Sequence, residues 1–423
     1  MVEVEDERIA GVEAGAAAPP TGAVRLDGLT LPGFANAHSH AFHRALRGRT
    51  QRGGGSFWSW RERMYELAAR LDPETYFRLA RATYAEMALA GITAVGEFHY
   101  VHHGPGGEPY ADPNETGKAM IAAAREAGIR ITLLDACYLH GGIGEPLNEA
   151  QRRFSDGDAE AWETRAEALA EAPGSRIGAA IHSVRAVDPD SCATVAAWAA
   201  AGERPLHAHV SEQPAENEAC LAAHGATPTG VLERAGALGP RFAAVHATHL
   251  SEADITGLGD SGCCCCLCPT TERDLADGIG PARALAEAGA TLALGSDSQA
   301  VIDLFEEARA VELDERLASG ERGRHDPVSL LRAATRVGHA CLGWPRTGTI
   351  EAGATADLVT IGLDGVRLAG ATPDSALDTA VFAATSADVE RVICGGREIV
   401  RDGAHVGLDV ARELRDSIAE VLG

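Results

Sequence analysis

Sixteen histidines are spread through this 423-residue chain, and their position relative to apolar runs sorts those that could do chemistry. His38 and His40 stand two apart at the end of an extended run that begins near Arg25. In a strand, residues i and i+2 point the same way, so two imidazoles at this spacing can grip one ion. The run PLHAHV carries a further imidazole, His209, and three residues on comes Glu212, a carboxylate placed to reach an ion's water or a substrate. His246 closes the run FAAVH, with His249 one turn later as a competitor, and Asp297 follows the apolar run ATLALG. A carboxylate there is costly unless paired or bound to a metal. Taken singly, each feature has an ordinary explanation: an accidental His-x-His, a hydrogen-bonded core histidine, a solvated glutamate. Taken together, three imidazoles and one carboxylate neutralise only half of a divalent ion's charge and leave it acidic enough to bring the pKa of its water toward ~7. That is hydrolytic chemistry.

The elements that must position these residues follow from the alternation of apolar runs with helical patterns. After the first run come Gly91 to Phe98, Ile129 to Ala136, Arg176 to Ile181, Pro205 to Val210, Phe242 to His246, Gly262 to Leu267 and Ala290 to Gly295. Helices are expected at Pro73 to Leu89, Thr116 to Ala127, Ala159 to Ala172, Pro189 to Ala201, Pro214 to His224 and Gly280 to Ala288, several of them opening on Pro as a first helical turn allows. About eight strands separated by helices predict an α/β fold, a (β/α)8 TIM-like barrel, and the candidate residues then share the strand C-terminal face where barrel enzymes build their sites. Beyond Gly343 the texture changes to short, glycine-rich extended pieces, Gly348 to Gly362 and Glu390 to Gly403, which read as hairpins. With the extended N-terminal stretch Val2 to Leu31 they are expected to form one small β-sandwich domain, against which the last helix, Val410 to Leu422, would pack. The division expected is 1–30 and 343–423 for that domain and 31–342 for the barrel.

Composition removes other classes of function. With 37 Lys and Arg against 61 Asp and Glu, the formal charge is −24, which argues against nucleic acid or an anionic membrane as partner and requires a local basic pocket for any anionic substrate. The acidic opening MVEVEDER is the reverse of a secretory signal, and no apolar run approaches the ~18 residues of a membrane span, so a cytoplasmic protein is expected. Five of ten cysteines crowd into Cys263 to Cys268, which is no disulfide framework for a chain this long. Neighbours on a strand face opposite ways and cannot share a soft metal, so small buried barrel residues are expected, with Cys268 alone turned toward the site. The segment Phe57 to Trp60 reads as either a lid or core packing.

The set Pro32-Gly33-Phe34-Ala35-Asn36-Ala37-His38-Ser39-His40, His209-Val210-Ser211-Glu212, His246 and Ser296-Asp297 resembles the amidohydrolase superfamily, and the tail segment Gly353 to Leu358 resembles that superfamily's β-domain signature. By this likeness His38, His40, His209 and Asp297 are metal ligands, and Glu212 and His246 transfer protons, with Asp297 assisting. Within the superfamily, HSHAFHRAL, SFWSWRERMY, EFHYVHH, HSVRAV, HAHVSEQ, VHATHL and CPTTERDLADG are most similar to the formimidoylglutamate deiminases of histidine degradation. The resemblance implies hydrolysis of a formimidoyl group with loss of ammonia, one divalent ion with zinc as first expectation and Fe2+ as second, and a homodimer. It also implies a dicarboxylate substrate held by Arg61, Tyr100, His182 and Arg185, for which guanidinium forks are suited. One position departs: this chain has His43 where those enzymes have Gln, which changes a hydrogen-bonding contact to substrate. The alternatives are a related deaminase acting on a purine, pyrimidine or guanidino compound, which would give two arginines little to bind, and a barrel without catalysis.

Overall fold

Strands buried on both faces can be apolar throughout, and the eight barrel strands are of that kind. The computed structural model describes residues 1–16, 19–52 and 55–423. We label the strands β1 (Phe34–Ser39), β2 (Ile92–His99), β3 (Arg130–Cys137), β4 (Ser175–Ile181), β5 (Leu206–Val210), β6 (Phe242–His246), β7 (Cys264–Leu267) and β8 (Thr291–Leu294); they lie side by side in sequence order as one parallel sheet. The sheet closes through a single parallel bridge between Ser39 and Asp297, where His40 N–H donates to Asp297 O (3.2 Å) and Asp297 N–H to His38 O (3.0 Å). The (β/α)8 expectation holds. Helices start where Asp precedes Pro: Asp72, Asp188 and Asp326 each accept backbone N–H groups of the first turn, and Pro occupies the position whose own N–H would be unsatisfied.

Several boundaries differ from the sequence reading. The extended run ending at His40 is two strands: Leu29–Pro32 pairs antiparallel with Leu358–Ile361, and Phe34–Ser39 enters the barrel. Between them a Cβ on Gly33 would lie 2.6 Å from Thr93, so only glycine permits the crossing. The helix expected to reach Ala172 ends at Glu167, and the one expected from Gly280 begins at Ala282. Helices also occupy Phe57–Ala68 and Leu304–Ser319. Of the two tail hairpins expected, only the second forms, from Val389–Cys394 and Arg397–Arg401; in the first, only Leu358–Ile361 is a strand. These strands with Leu29–Pro32 and Ala404–His405 make a five-stranded antiparallel sheet. The N-terminal strands Val2–Glu5 and Arg8–Val12 form their own hairpin, and Ile9 packs on Ala354 and Ala356; positions 17 and 18 of that stretch lie outside the described residues. The last helix buries Val410, Ile418 and Val421 in the same core cluster as Val392 and Val400 of the small sheet. It lies against Pro73–Leu89, where Arg78 pairs with Glu420 and Arg81 with Glu413.

Candidate active site

Asp297 is the point on which the predicted residues converge. Its Oδ1 lies 3.2 Å from His38 Nε2 and 3.4 Å from His40 Nε2, while His38 Nε2 is 3.1 Å from His209 Nε2. Donors held ~2.0–2.2 Å from one tetrahedral ion stand about 3.3–3.5 Å apart, close to these three spacings; His38, His209 and Asp297 lie with His246 within 4.8 Å of one another, whereas His40 is grouped with Asp297 and His43. Tautomers agree with the distances. His40 Nδ1–H donates to Phe98 O and His209 Nδ1–H to His182 O, both at 2.9 Å, which leaves each Nε2 lone pair facing the centre. Burial lowers the pKa of His38 to about 3 and holds His209 well below the imidazole range, so both rings are neutral donors. Burial works to raise the pKa of Asp297, but the surrounding His38, His246 and His40 rings, with His38 in hydrogen-bond contact, carry it far below the usual carboxylate range.

His246 approaches the other oxygen, with Nε2 4.0 Å from Asp297 Oδ2 and 3.7 Å from Glu212 Oε1. Burial opposes its protonation, yet Glu212, Glu272 and Asp297 together raise its pKa to about 10. The backbone is strained at these strand ends: Ser211, His246, Ala247, Asp297 and Gln299 all have positive φ, a conformation that costs non-glycine residues energy and marks sites over-determined by their surroundings. His249 points away and bonds Asp277 O.

A narrow cavity opens over the cluster, lined by all the remaining predicted residues. His43 is buried with Nε2 3.1 Å from Tyr100 Oη, and its Nδ1 has no partner among the described residues. His182 is held by Ser183 Oγ at 3.2 Å. Arg185 Nη2 donates to Glu212 Oε2 at 2.6 Å, and its Nη1 has no partner among the described residues. Burial opposes the charge of Arg185, but Glu216 and Glu212 more than offset it and raise its pKa. Arg61 stacks on Trp58 at 4.5 Å. The cavity roof is the helix Phe57–Ala68: Phe57, Trp60, Arg61, Met64 and Tyr65 recur at helical spacing and face inward. That spacing was present in SFWSWRERMY and settles the segment as a covering helix.

Sequence reasoning missed the supporting roles of the residues that hold the site, Asn36 and Ser296 having entered only as motif members. Glu272 Oε1 accepts from His246 Nδ1–H at 3.3 Å and from Cys268 N–H at 2.8 Å, fixing Nε2 of His246 toward the cavity. Glu216 accepts the Glu212 N–H at 3.0 Å. Asn36 Nδ2 donates to Ser296 Oγ (2.6 Å) and Asn36 Oδ1 accepts Ser296 N–H (2.9 Å), tying the start of the His-x-His strand to the residue before Asp297. Behind it Glu97 takes the Ser39 hydroxyl and the Ala41 N–H, and burial pushes its pKa up to about 8. The cysteine run alternates: Cys264, Cys266 and Cys268 share a cluster with Ala37, Ala243, Val245 and Ala293, while Cys263 and Cys265 face the larger core. Cys268 stands behind the cavity wall beside His246 and Glu272.

The comparisons with known proteins agree with this architecture. The profile of the amidohydrolase family matches residues 29–399. The chain is 41% identical over 399 residues to the formimidoylglutamate deiminase of Pseudomonas aeruginosa, spanning 91% of this chain and 88% of that one. An amidohydrolase from Brucella melitensis superposes with a TM-score of 0.92 at 35% identity, over 100% of this chain and 96% of that one. An adenosine deaminase from Xanthomonas campestris with bound zinc does so with a TM-score of 0.85 at 25% identity, over 99% and 92%. With its profile matched over most of its length, and its barrel strand ends carrying the converged histidines and aspartate, the chain belongs to the amidohydrolase family.

Proposed function

We propose that this protein is a hydrolase that converts N-formimidoyl-L-glutamate and water to N-formyl-L-glutamate and ammonia. One observation carries the reading: Arg61 and Arg185, the latter with an Nη1 that has no partner among the described residues, open into the same cavity as the His and Asp cluster. A dicarboxylate amidine needs both features; a neutral heterocycle needs only the cluster. The 41% identical relative is named for this activity.

His38, His40, His209 and Asp297 would hold a single divalent ion, with zinc first in view of the solved relative that carries it. When bound, the ion supplies Lewis acidity that makes hydroxide available near neutral pH. The chain's own groups do the rest. The free oxygen of Asp297 accepts the proton released by water, the His246 imidazolium, oriented by Glu272, donates a hydrogen bond to the incoming oxygen, and Glu212 carries a proton to the departing nitrogen. The C–N bond to that nitrogen breaks, ammonia leaves, and the formyl oxygen comes from water. Arg185, beside Glu212, takes the carboxylate next to the reacting nitrogen, and Arg61 takes the distant one. Tyr100, His182 and the free Nδ1 of His43 contact the substrate between them.

Among the described residues no helix is long and apolar enough to cross a membrane. A cytoplasmic homodimer acting on a small molecule, without nucleic acid or membrane partners, completes the proposal; a solution mass of twice 44.0 kDa tests the dimer. Ammonia release from formimidoylglutamate, set against its formimidoyl-aspartate and guanidino analogues, tests the activity. Fastest release from the glutamate compound is expected, and no release from it would overturn the assignment.

A further inference from the structure

Outward from the cluster along the cavity the rings follow one another as His209, His182 and Tyr138, with centroids 5.2 and 4.4 Å apart. Tyr138 meets Tyr65, a residue of the covering helix, hydroxyl to hydroxyl at 3.4 Å, and both rings line the cavity. Behind them sits Gln151, buried to 2% exposure, whose Nε2 donates to Tyr138 Oη at 2.8 Å and to Tyr65 Oη at 3.0 Å, with a longer 3.3 Å approach to Gly141 O. Its orientation is pinned because Oε1 accepts the Asn148 N–H at 2.9 Å.

Counting protons gives the consequence. Each phenol oxygen already accepts a hydrogen bond from Gln151, so each phenol keeps its own O–H to donate. Contact between the two hydroxyls uses one of those protons. The other has no acceptor among the described residues. The Arg61 guanidinium lies 5.6 Å from the Tyr65 ring. A buried amide that forces two phenols to act as donors beside a guanidinium builds a place for an anion, since unmet buried donors are costly and a carboxylate satisfies them.

We propose that Tyr65 and Tyr138, set by Gln151, form with Arg61 the subsite for the substrate's distal carboxylate and so select dicarboxylate over monocarboxylate formimidoyl acids. This deepens the proposed deiminase reading and rests on it. Burial raises the pKa of Tyr138 well above that of a free phenol, which keeps it a neutral donor.

The test uses the full-length, metal-loaded protein and two substrates: N-formimidoyl-L-glutamate, and N-formimidoyl-L-norvaline, which has a methyl group where glutamate has its distal carboxylate. The unmodified protein should favour the glutamate compound in kcat/KM. In the Tyr65→Phe/Tyr138→Phe double variant, which keeps both rings, that preference should fall roughly tenfold or more, through KM for the glutamate compound, with the norvaline compound unaffected. Gln151→Leu should shift the preference in the same direction. Retained preference in the double variant, or an equal loss on both substrates, overturns the subsite. If the double variant fails to fold, Tyr138→Phe alone is read the same way against the same two outcomes. Absence of ammonia release by the unmodified protein strikes the deiminase reading itself, a result separate from unchanged preference in the variants.

Discussion

Glu212 is pulled toward two partners at once. Arg185 holds one oxygen at 2.6 Å and His246 stands 3.7 Å from the other, while neither oxygen is within the cluster that would carry the ion. Glu212→Gln should therefore lower kcat by about 10²–10⁴-fold with metal content unchanged, measured by ammonia release and by elemental analysis of the same sample. Near-normal turnover would remove Glu212 from proton transfer. At this scale the reactive groups were legible because His and Asp at strand ends are chemically scarce and two-residue spacing sets their direction. Their supports were not legible. Glu272 serves a histidine 26 positions away, Gln151 a tyrosine 86 positions away, and nothing in either local segment marks an ordinary Glu or Gln as a partner of something so distant.

Between elements, the geometry turns on how near β8 comes to β1. A Cβ on Gly295 would stand 2.7 Å from His38 Cβ, 2.9 Å from His38 O and 3.0 Å from Cys268 Sγ, so the strands can approach only because this residue has no side chain. Gly295→Ala should cost about 1–3 kcal/mol of stability by overpacking, and should also weaken metal binding because it displaces His38; thermal unfolding and metal titration check the two effects. The order of strands and helices was legible because each apolar run is bounded by turn residues. Helix ends were blurred by alanine, which suits either face, and the covering helix was obscured by the aromatic residues Phe57, Trp58 and Trp60, which also suit a loop. The last helix docks through buried Val410, Ile418 and Val421, and its partner helix is marked by Arg78 and Arg81 finding glutamates 342 and 332 positions later, a pairing no local pattern announces.

For the molecule as a whole, two perturbations should show what holds it together. Withdrawing the ion with a chelator leaves neutral imidazoles and a carboxylate facing one another without their common partner, and should lower Tm by roughly 5 °C or more, recovered on adding zinc. Acid should act elsewhere, at the buried knot where Arg165 pairs with Asp135 and Asp156. Burial works to raise both carboxyls, but Arg165 and nearby histidines bring them below the ordinary value. A depressed native pKa means that the unfolded chain takes up protons first, so the stability this knot contributes is present above pH ~4 and is lost as pH falls from there toward the native values. Asp156→Asn should flatten that part of the acid-unfolding profile. Barrel architecture and charge balance were legible from composition and order alone, whereas the manner of closure was not, because a one-residue bridge leaves no periodic trace. That bridge has a mechanical corollary. Seven joints of the hoop are ladders of several bonds, and the eighth is a lone rivet at Ser39 and Asp297, set beside the residues that would grip the cation. Loading the ion would clamp the weakest joint of the hoop, so amide exchange at His40 and Asp297 should slow more than at any other barrel strand end when metal is restored.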